Sequence, residues 1–311
     1  MIKDIVKKME KYGIPGRDLH ELPSSQLTFP DGAHYRMEIS GVERPEVCEA
    51  LIDEMQKRNV PVHRLISAVM GATLLDKQEL RKFAKAAHDA KVEVIMTPGP
   101  RAPWEIGRQM ATPEGAVCGL RFRGSDAIAR YIADIYRCVE AGFRGFLVWD
   151  EGVLWLLNEM RKDGEFPEGT TFKVSIYAGH ANAAGAKLLE NIGANTFNPI
   201  GDISAAMYAS IRKAVKLPID VHIYLFDAWG GFVRFWEAGE LARVAAPCYF
   251  KIEPGPSVGA LYKPWTPPDS LSFLAREKVK YGQIIHEIIQ ENNPELKLSA
   301  QGPADLAIPQ P

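Results

Sequence analysis

Between His34 and residue 290 the chain alternates short apolar, β-rich runs with longer stretches of helical spacing, and it does so eight times. The strand candidates are His34–Ser40, Val62–Val69, Val92–Thr97, Phe143–Asp150, Thr171–Ala178, Thr196–Pro199, Pro218–Phe226 and Cys248–Glu253. A helical pattern follows each one, the first opening at Glu43 with Pro45 in its initial turn. Strands joined through helices pair in parallel, because a parallel crossover needs a long connection. Eight such units predict a closed (β/α)8 barrel, a TIM barrel, over residues 33–292. A doubly wound sheet would want a Gly-rich phosphate turn after an early strand, and none is present. Residues 1–32 read as an N-terminal helix with a Pro-containing lead-in, and residues 293–311 as a C-terminal tail expected to fray.

Composition narrows the partners. The 37 basic and 39 acidic side chains give a formal charge of −2, which offers no global attraction for a nucleic-acid backbone. No apolar run approaches the roughly 20 residues of a membrane helix, and the charged N-terminus lacks the apolar region of a secretory signal. A cytoplasmic chain acting on a small molecule, without nucleic acid or membrane, is the expectation. Cys48, Cys118, Cys138 and Cys248 are dispersed and form no CxxC pair, so neither zinc nor redox chemistry is indicated by them. Aromatic residues after the seventh candidate strand (Trp229, Phe232, Phe235 and Trp236) suit self-association into a homo-oligomer or a substrate pocket.

Side chains alternate along a strand, so the apolar set must face the helices and the other set the barrel axis. In the first candidate, Tyr35, Met37 and Ile39 face out, leaving His34, Arg36, Glu38 and Ser40 inside. The same rule turns Lys173, Ser175 and Tyr177 inward in the fifth, and Asp220, His222 and Tyr224 in the seventh. In the eighth it turns in Tyr249, Lys251 and Glu253. Barrel interiors are ordinarily packed by Val, Ile and Leu. Buried ionisable groups in this number must neutralise one another or hold an ion or substrate.

Glu253, ending the last inward-facing strand, is the leading acid, base or ligand, joined by His222, Asp150 and Lys251. Glu38, Asp150, His222 and Glu253 together make a candidate divalent-metal set for Mg, Mn or Zn. Asp150 and Glu151 also sit where acidic residues complement an opening helix; we assign Asp150 to the site and Glu151 to the helix. Arg36, Arg101, His180 and Asn198 are candidate substrate contacts, although turn chemistry accounts equally for Asn198. Gly230 and Gly231, and the Gly255–Gly259 turn, permit phosphate to approach backbone amides. The long connection from Pro98 to Gly124, rich in arginine, has the size of a lid or an assembly arm.

The order from Lys173 to His222, with the small-residue helix NAAGAKLLENIGAN and then IRKAVKLPIDVHI, resembles the middle section of the peptidase U32 family. That resemblance implies a barrel with peptidase or, in some branches, iron–sulfur-dependent hydroxylation activity. The family's continuation after the histidine is Gly-Ala-Leu-Cys-like, whereas this chain reads Ile223-Tyr224-Leu225-Phe226, with Cys248 its only later cysteine. No iron–sulfur cluster is therefore expected, and no catalytic residue carries over.

Three readings follow. The first is a lyase, isomerase or hydrolase using acid–base or divalent-metal chemistry at the C-terminal rim. The second is a metal-independent Schiff-base lyase using Lys173 or Lys251. The third is a non-catalytic barrel whose polar interior satisfies itself and leaves a filled mouth.

Overall fold

The computed structural model describes residues 1–99, 109, 112, 115–118, 120–263 and 265–311, with the side chains of 117 and 118 left aside. Eight parallel strands close into a barrel in sequence order: β1 (Tyr35–Val42), β2 (Arg64–Ser67), β3 (Glu93–Met96), β4 (Gly145–Val148), β5 (Thr171–Val174), β6 (Thr196–Phe197), β7 (Ile219–Tyr224) and β8 (Cys248–Ile252). The seam is β1 against β8, running from Tyr35 beside Cys248 to Ile39 beside Ile252. The (β/α)8 expectation holds.

The outer ring comprises α2 (Pro45–Arg58), α3 (Lys77–Asp89), α4 (Gly124–Glu140), α5 (Glu151–Lys162), α6 (Ala183–Asn191), α7 (Ala205–Ala214), α8 (Ala238–Ala245), the one-turn α9 (Val258–Leu261) and α10 (Pro268–Asn292); α1 (Ile2–Glu10) precedes the barrel. Local sequence sets several starts. Asp76 accepts from the amides of Gln78 and Glu79 while Glu79 reaches back to the Asp76 amide, a capping box for α3. The Asn182 and Ser204 side chains accept from the Gly185 and Met207 amides and cap α6 and α7. The outward strand residues Tyr35, Met37, Ile39, Val221, Ile223, Phe250 and Ile252 are fully buried beneath these helices.

Two strands are shorter than the apolar runs suggest. β5 ends at Val174 because the Ser175 hydroxyl accepts from the Tyr177 amide and starts a 3-10 turn over Ile176–Ala178. Tyr177 therefore lies on that turn and not on a strand. β6 keeps only Thr196 and Phe197. In β1, Gly41 forms a bulge at φ +79°, and a Cβ there would meet the Tyr262 ring at 2.1 Å.

The tail does not fray. Leu298 bridges Tyr35, the Gln301 side chain accepts from the Val62 amide at 3.1 Å, and Asp305 takes the Arg36 guanidinium in two hydrogen bonds. Its end is pinned where the Gln310 amide donates to the Gly142 carbonyl at 2.7 Å, an approach a Cβ at Gly142 would block. Proline removes donors but does not prevent docking, and the buried Leu296 and Ala307 supply apolar anchors. The lead-in also docks: the Ser25 amide donates to the Arg243 carbonyl, and Phe29 stacks edge-on against Tyr249 under the barrel. Trp236 is 80% exposed, whereas Phe235 packs against Tyr224 and Tyr281. None of the helices is long and apolar enough to cross a membrane among the described residues.

Candidate active site

The barrel interior is polar at three levels. At the base, where strands begin, Arg36 bonds Asp305, the Tyr249 hydroxyl at 3.1 Å and the Ser299 hydroxyl at 2.9 Å, with its guanidinium over the Phe29 ring. Arg36 is thus a clamp for the tail, which corrects its assignment as a substrate contact.

Above it lies an ion-pair plug. Arg64 from β2 has its guanidinium carbon 3.5 Å above the centre of the Tyr249 ring and bonds Glu38, Asp220 and, at 3.1 Å, the Thr196 hydroxyl. Lys173 from β5 bonds Asp220 and lies 3.2 Å from Glu38. Two cations face two carboxylates, so the charges cancel, as a buried cluster requires. Burial would raise the Glu38 carboxyl, but Arg64 and Lys173 outweigh it and hold the group well below the usual range. Burial, followed by the neighbouring Arg64, pulls the Lys173 ammonium down to about 8. Glu38 is therefore a structural counter-ion and not part of a metal set, and Lys173 is held by two carboxylates.

The third level is the C-terminal mouth. His222 and Lys251 face each other across β7 and β8, and Glu253 follows at the end of β8. Glu253 Oε2 lies 3.6 Å from Lys251 Nζ and 3.8 Å from His222 Nε2, all three groups being at most 5% exposed. The Asn198 amide nitrogen donates to the Asp220 carbonyl at 2.6 Å, which orients that amide, and meets His222 Nδ1 at 3.1 Å. Nδ1 is consequently an acceptor, and the imidazole proton sits on Nε2. Nε2 has no hydrogen-bond partner among the described residues. Burial lowers the His222 pKa to about 4, against the opposing pull of Glu253, so the ring is neutral at pH 7. Burial would raise Glu253, yet Lys251 and His222 keep its carboxyl below the ordinary value.

Behind this trio, Lys278 from α10 donates to the Ser40 carbonyl at 2.5 Å and to the Tyr262 hydroxyl at 2.8 Å. Burial lowers its ammonium to about 8, with Glu253 and Glu43 pulling the other way. The sequence gives no periodic signal for this residue, since α10 must be docked before its inner face is known.

A space of about 30 Å3 borders His222, Lys251 and Glu253, roofed by Phe226, Trp229 and Val258. It has room for about one water. The roof is tied as a unit: the amides of Asp227 and Ala228 donate to the carbonyls of Gly255 and Pro256 at 2.7 and 2.9 Å. The amides of Gly230 and Gly231 donate to Asp227 and Phe226 within their own turn, which corrects their assignment as phosphate donors.

Asp150 and Glu151 exchange the roles expected of them. The two Asp150 carboxylate oxygens accept from the amides of Val153 and Phe122, at 3.1 and 3.2 Å, so Asp150 caps α5. Glu151 binds His180 Nε2 at 2.7 Å and Arg121 at 3.0 Å, a rim cluster in which His180 already has its partner. Arg101 lies outside the described residues. Among the described residues no three His, Cys, Asp or Glu side chains converge as a metal-ligand group. The fit fails at His222 as well, because a metal on Nε2 would need the proton on Nδ1, directed at the Asn198 amide hydrogens.

No family model matches the chain, and no curated protein does. Solved structures do. One, described as a candidate fructose-1,6-biphosphate aldolase from Coccidioides immitis, is 14% identical with a TM-score of 0.50, covering 94% of this chain and 95% of that one. The YdjI aldolase from Escherichia coli K12 is 15% identical with a TM-score of 0.47, covering 82% and 90%. A U32 peptidase is 16% identical with a TM-score of 0.40, covering 62% and 70%. At these identities the shared feature is the barrel.

Proposed function

We propose that the protein is a lyase or isomerase that moves a proton at a carbon next to the carbonyl of a small polar or anionic substrate, without a metal ion. The observation that carries this reading is the neutral His222, whose Nε2–H is buried, unpartnered and directed to the space shared with Glu253 and Lys251. Glu253 takes the proton from carbon. The electron pair moves onto the carbonyl oxygen, which then accepts from the His222 Nε2–H and the Lys251 ammonium. A neutral imidazole beside a carboxylate base is a known division of labour for enolisation. A substrate oxygen that draws Lys251 away removes the largest of the pulls that oppose burial at Glu253, with His222 and Lys278 still acting, and so raises its basicity at the moment it is needed. Admission requires the joined roof over Phe226, Trp229 and Val258 to lift.

The test is carbon-bound hydrogen exchange in D2O, read by NMR over a panel of small hydroxyaldehydes, hydroxyketones and 2-oxo acids. The wild type should exchange the α-hydrogen of at least one compound, and Glu253→Gln should slow that exchange by about 100-fold or more. Equal exchange in the variant, or none with any compound, rejects the assignment.

Lys251 supports a second reading. Among the described residues its ammonium has only the 3.6 Å contact with Glu253, which leaves it available as a Schiff-base nucleophile. Borohydride trapping of a carbonyl substrate on Lys251 would favour this route over oxyanion stabilisation.

A further inference from the structure

Glu93 opens β3 at the end of the barrel opposite the mouth and is 5% exposed. Among the described residues it forms no ion pair, and its hydrogen bonding consists of the Thr171 hydroxyl at 3.4 Å. It faces an open-mouthed cavity of about 320 Å3 bounded by the barrel base, the lead-in and the tail. Arg64 and Lys173 form part of the same lining, but both are engaged upward in the ion-pair plug. Asn195 lies on the wall with its amide oxygen taken by Arg161 and by the Phe172 amide, at 2.7 and 2.9 Å. Among the described residues its amide nitrogen has no hydrogen-bond partner, which leaves it as a donor for a guest.

We propose that this cavity is a second small-molecule site, separate from the mouth, which takes a short amino alcohol: the ammonium on Glu93 and a hydroxyl oxygen on the Asn195 amide. A buried carboxylate without a counter-ion is costly, and a ligand cation relieves that cost. Burial raises the Glu93 carboxyl and outweighs the opposing pull of Arg64, which makes no direct ion pair with it. The volume admits a molecule of this size together with several waters. Phe29 and Tyr249 provide apolar walls for its carbon chain, and exposed Thr28 and Lys216 form the lip.

Calorimetric titration of the full chain with ethanolamine, 2-amino-1,3-propanediol, glycerol and inorganic phosphate tests this. At least one of the two amines should bind saturably, one per chain, with glycerol and phosphate at least about tenfold weaker. Glu93→Gln should weaken the amine by about tenfold or more. Thr28→Trp, at an exposed position on the lip, should abolish binding by closing the entrance, and it serves if Glu93→Gln does not fold. The proposal is overturned if phosphate or glycerol binds as well as the amines, if neither variant changes the affinity, or if no amine saturates below about 10 mM.

Discussion

The Asn198 amide nitrogen lies 3.1 Å from Nδ1 of His222, and through that contact it selects which imidazole nitrogen carries the proton. The amide is itself oriented by the Asp220 carbonyl, so one asparagine links the ion-pair plug to the mouth. Asn198→Asp places an acceptor against Nδ1 and should move the proton there, removing the donor from the mouth. Nitrogen NMR of the His222 ring should show Nε2 protonated in the wild type and Nδ1 protonated in the variant. Carbon-proton exchange should fall steeply, toward the roughly 10^4-fold that a wrong imidazole tautomer costs in a serine-protease triad. An unchanged ring spectrum would contradict the assigned tautomer.

Acid should destabilise the fold before the carboxylates titrate. His63 and His222 are both buried, and burial lowers each pKa to about 4 from 6.5. His63 accepts the Met37 amide at Nδ1 and its Nε2 meets the Ser299 carbonyl at 3.0 Å, a neutral ring. The unfolded chain binds the extra protons first, so stability is fully present above about pH 6.5 and falls as pH drops toward 4. Each histidine contributes a slope of about 1.4 kcal/mol per pH unit in that window. Urea unfolding at several pH values should show it, and His63→Gln should remove about half.

The plug should respond asymmetrically to substitution. Asp220→Ala leaves Arg64 and Lys173 facing Glu38 alone, and the expected cost is about 3–5 kcal/mol. Pairing Asp220→Leu with Lys173→Met removes one charge of each sign and should recover most of that loss. Equal destabilisation in the single and double variants, measured by urea unfolding, would show that the two charges are not coupled.

Removing residues 302–311 deletes Asp305 and the Gln310–Gly142 hydrogen bond and leaves Arg36 with the partly exposed Asp31 at 3.6 Å. Thermal unfolding should shift downward, and Asp305→Ala alone should cost about 1.5–3 kcal/mol, the range for hydrogen bonds to a charged group. A fraying tail would predict no change in either.

Alternation was enough to place the eight strands and to turn Arg36, Glu38, Lys173, His222, Lys251 and Glu253 inward, because the helix-facing positions had to be apolar. Alternation says in or out; it does not say how far along the axis a residue sits. That level depends on the stagger between strands, which sends Arg36 to the base, Glu38 to the plug and Glu253 to the mouth. The same rule applied to the second and third candidate strands finds Arg64 and Glu93, and Arg64 is what neutralises Glu38. Asp150 was ambiguous because a residue between a strand end and a helix start occupies both the catalytic rim and the N-cap position. The docking of the tail depended on Arg36 lacking a counter-ion within the barrel wall, a condition that only three-dimensional pairing reveals.

Because Arg64, Lys173, Glu38 and Asp220 fill the bore at mid-height, the barrel behaves as two back-to-back cups and not as a tube. A molecule received at one end has no passage to the other. Each cup can change its occupant by substitution of its own lining, while the shared floor holds both in shape.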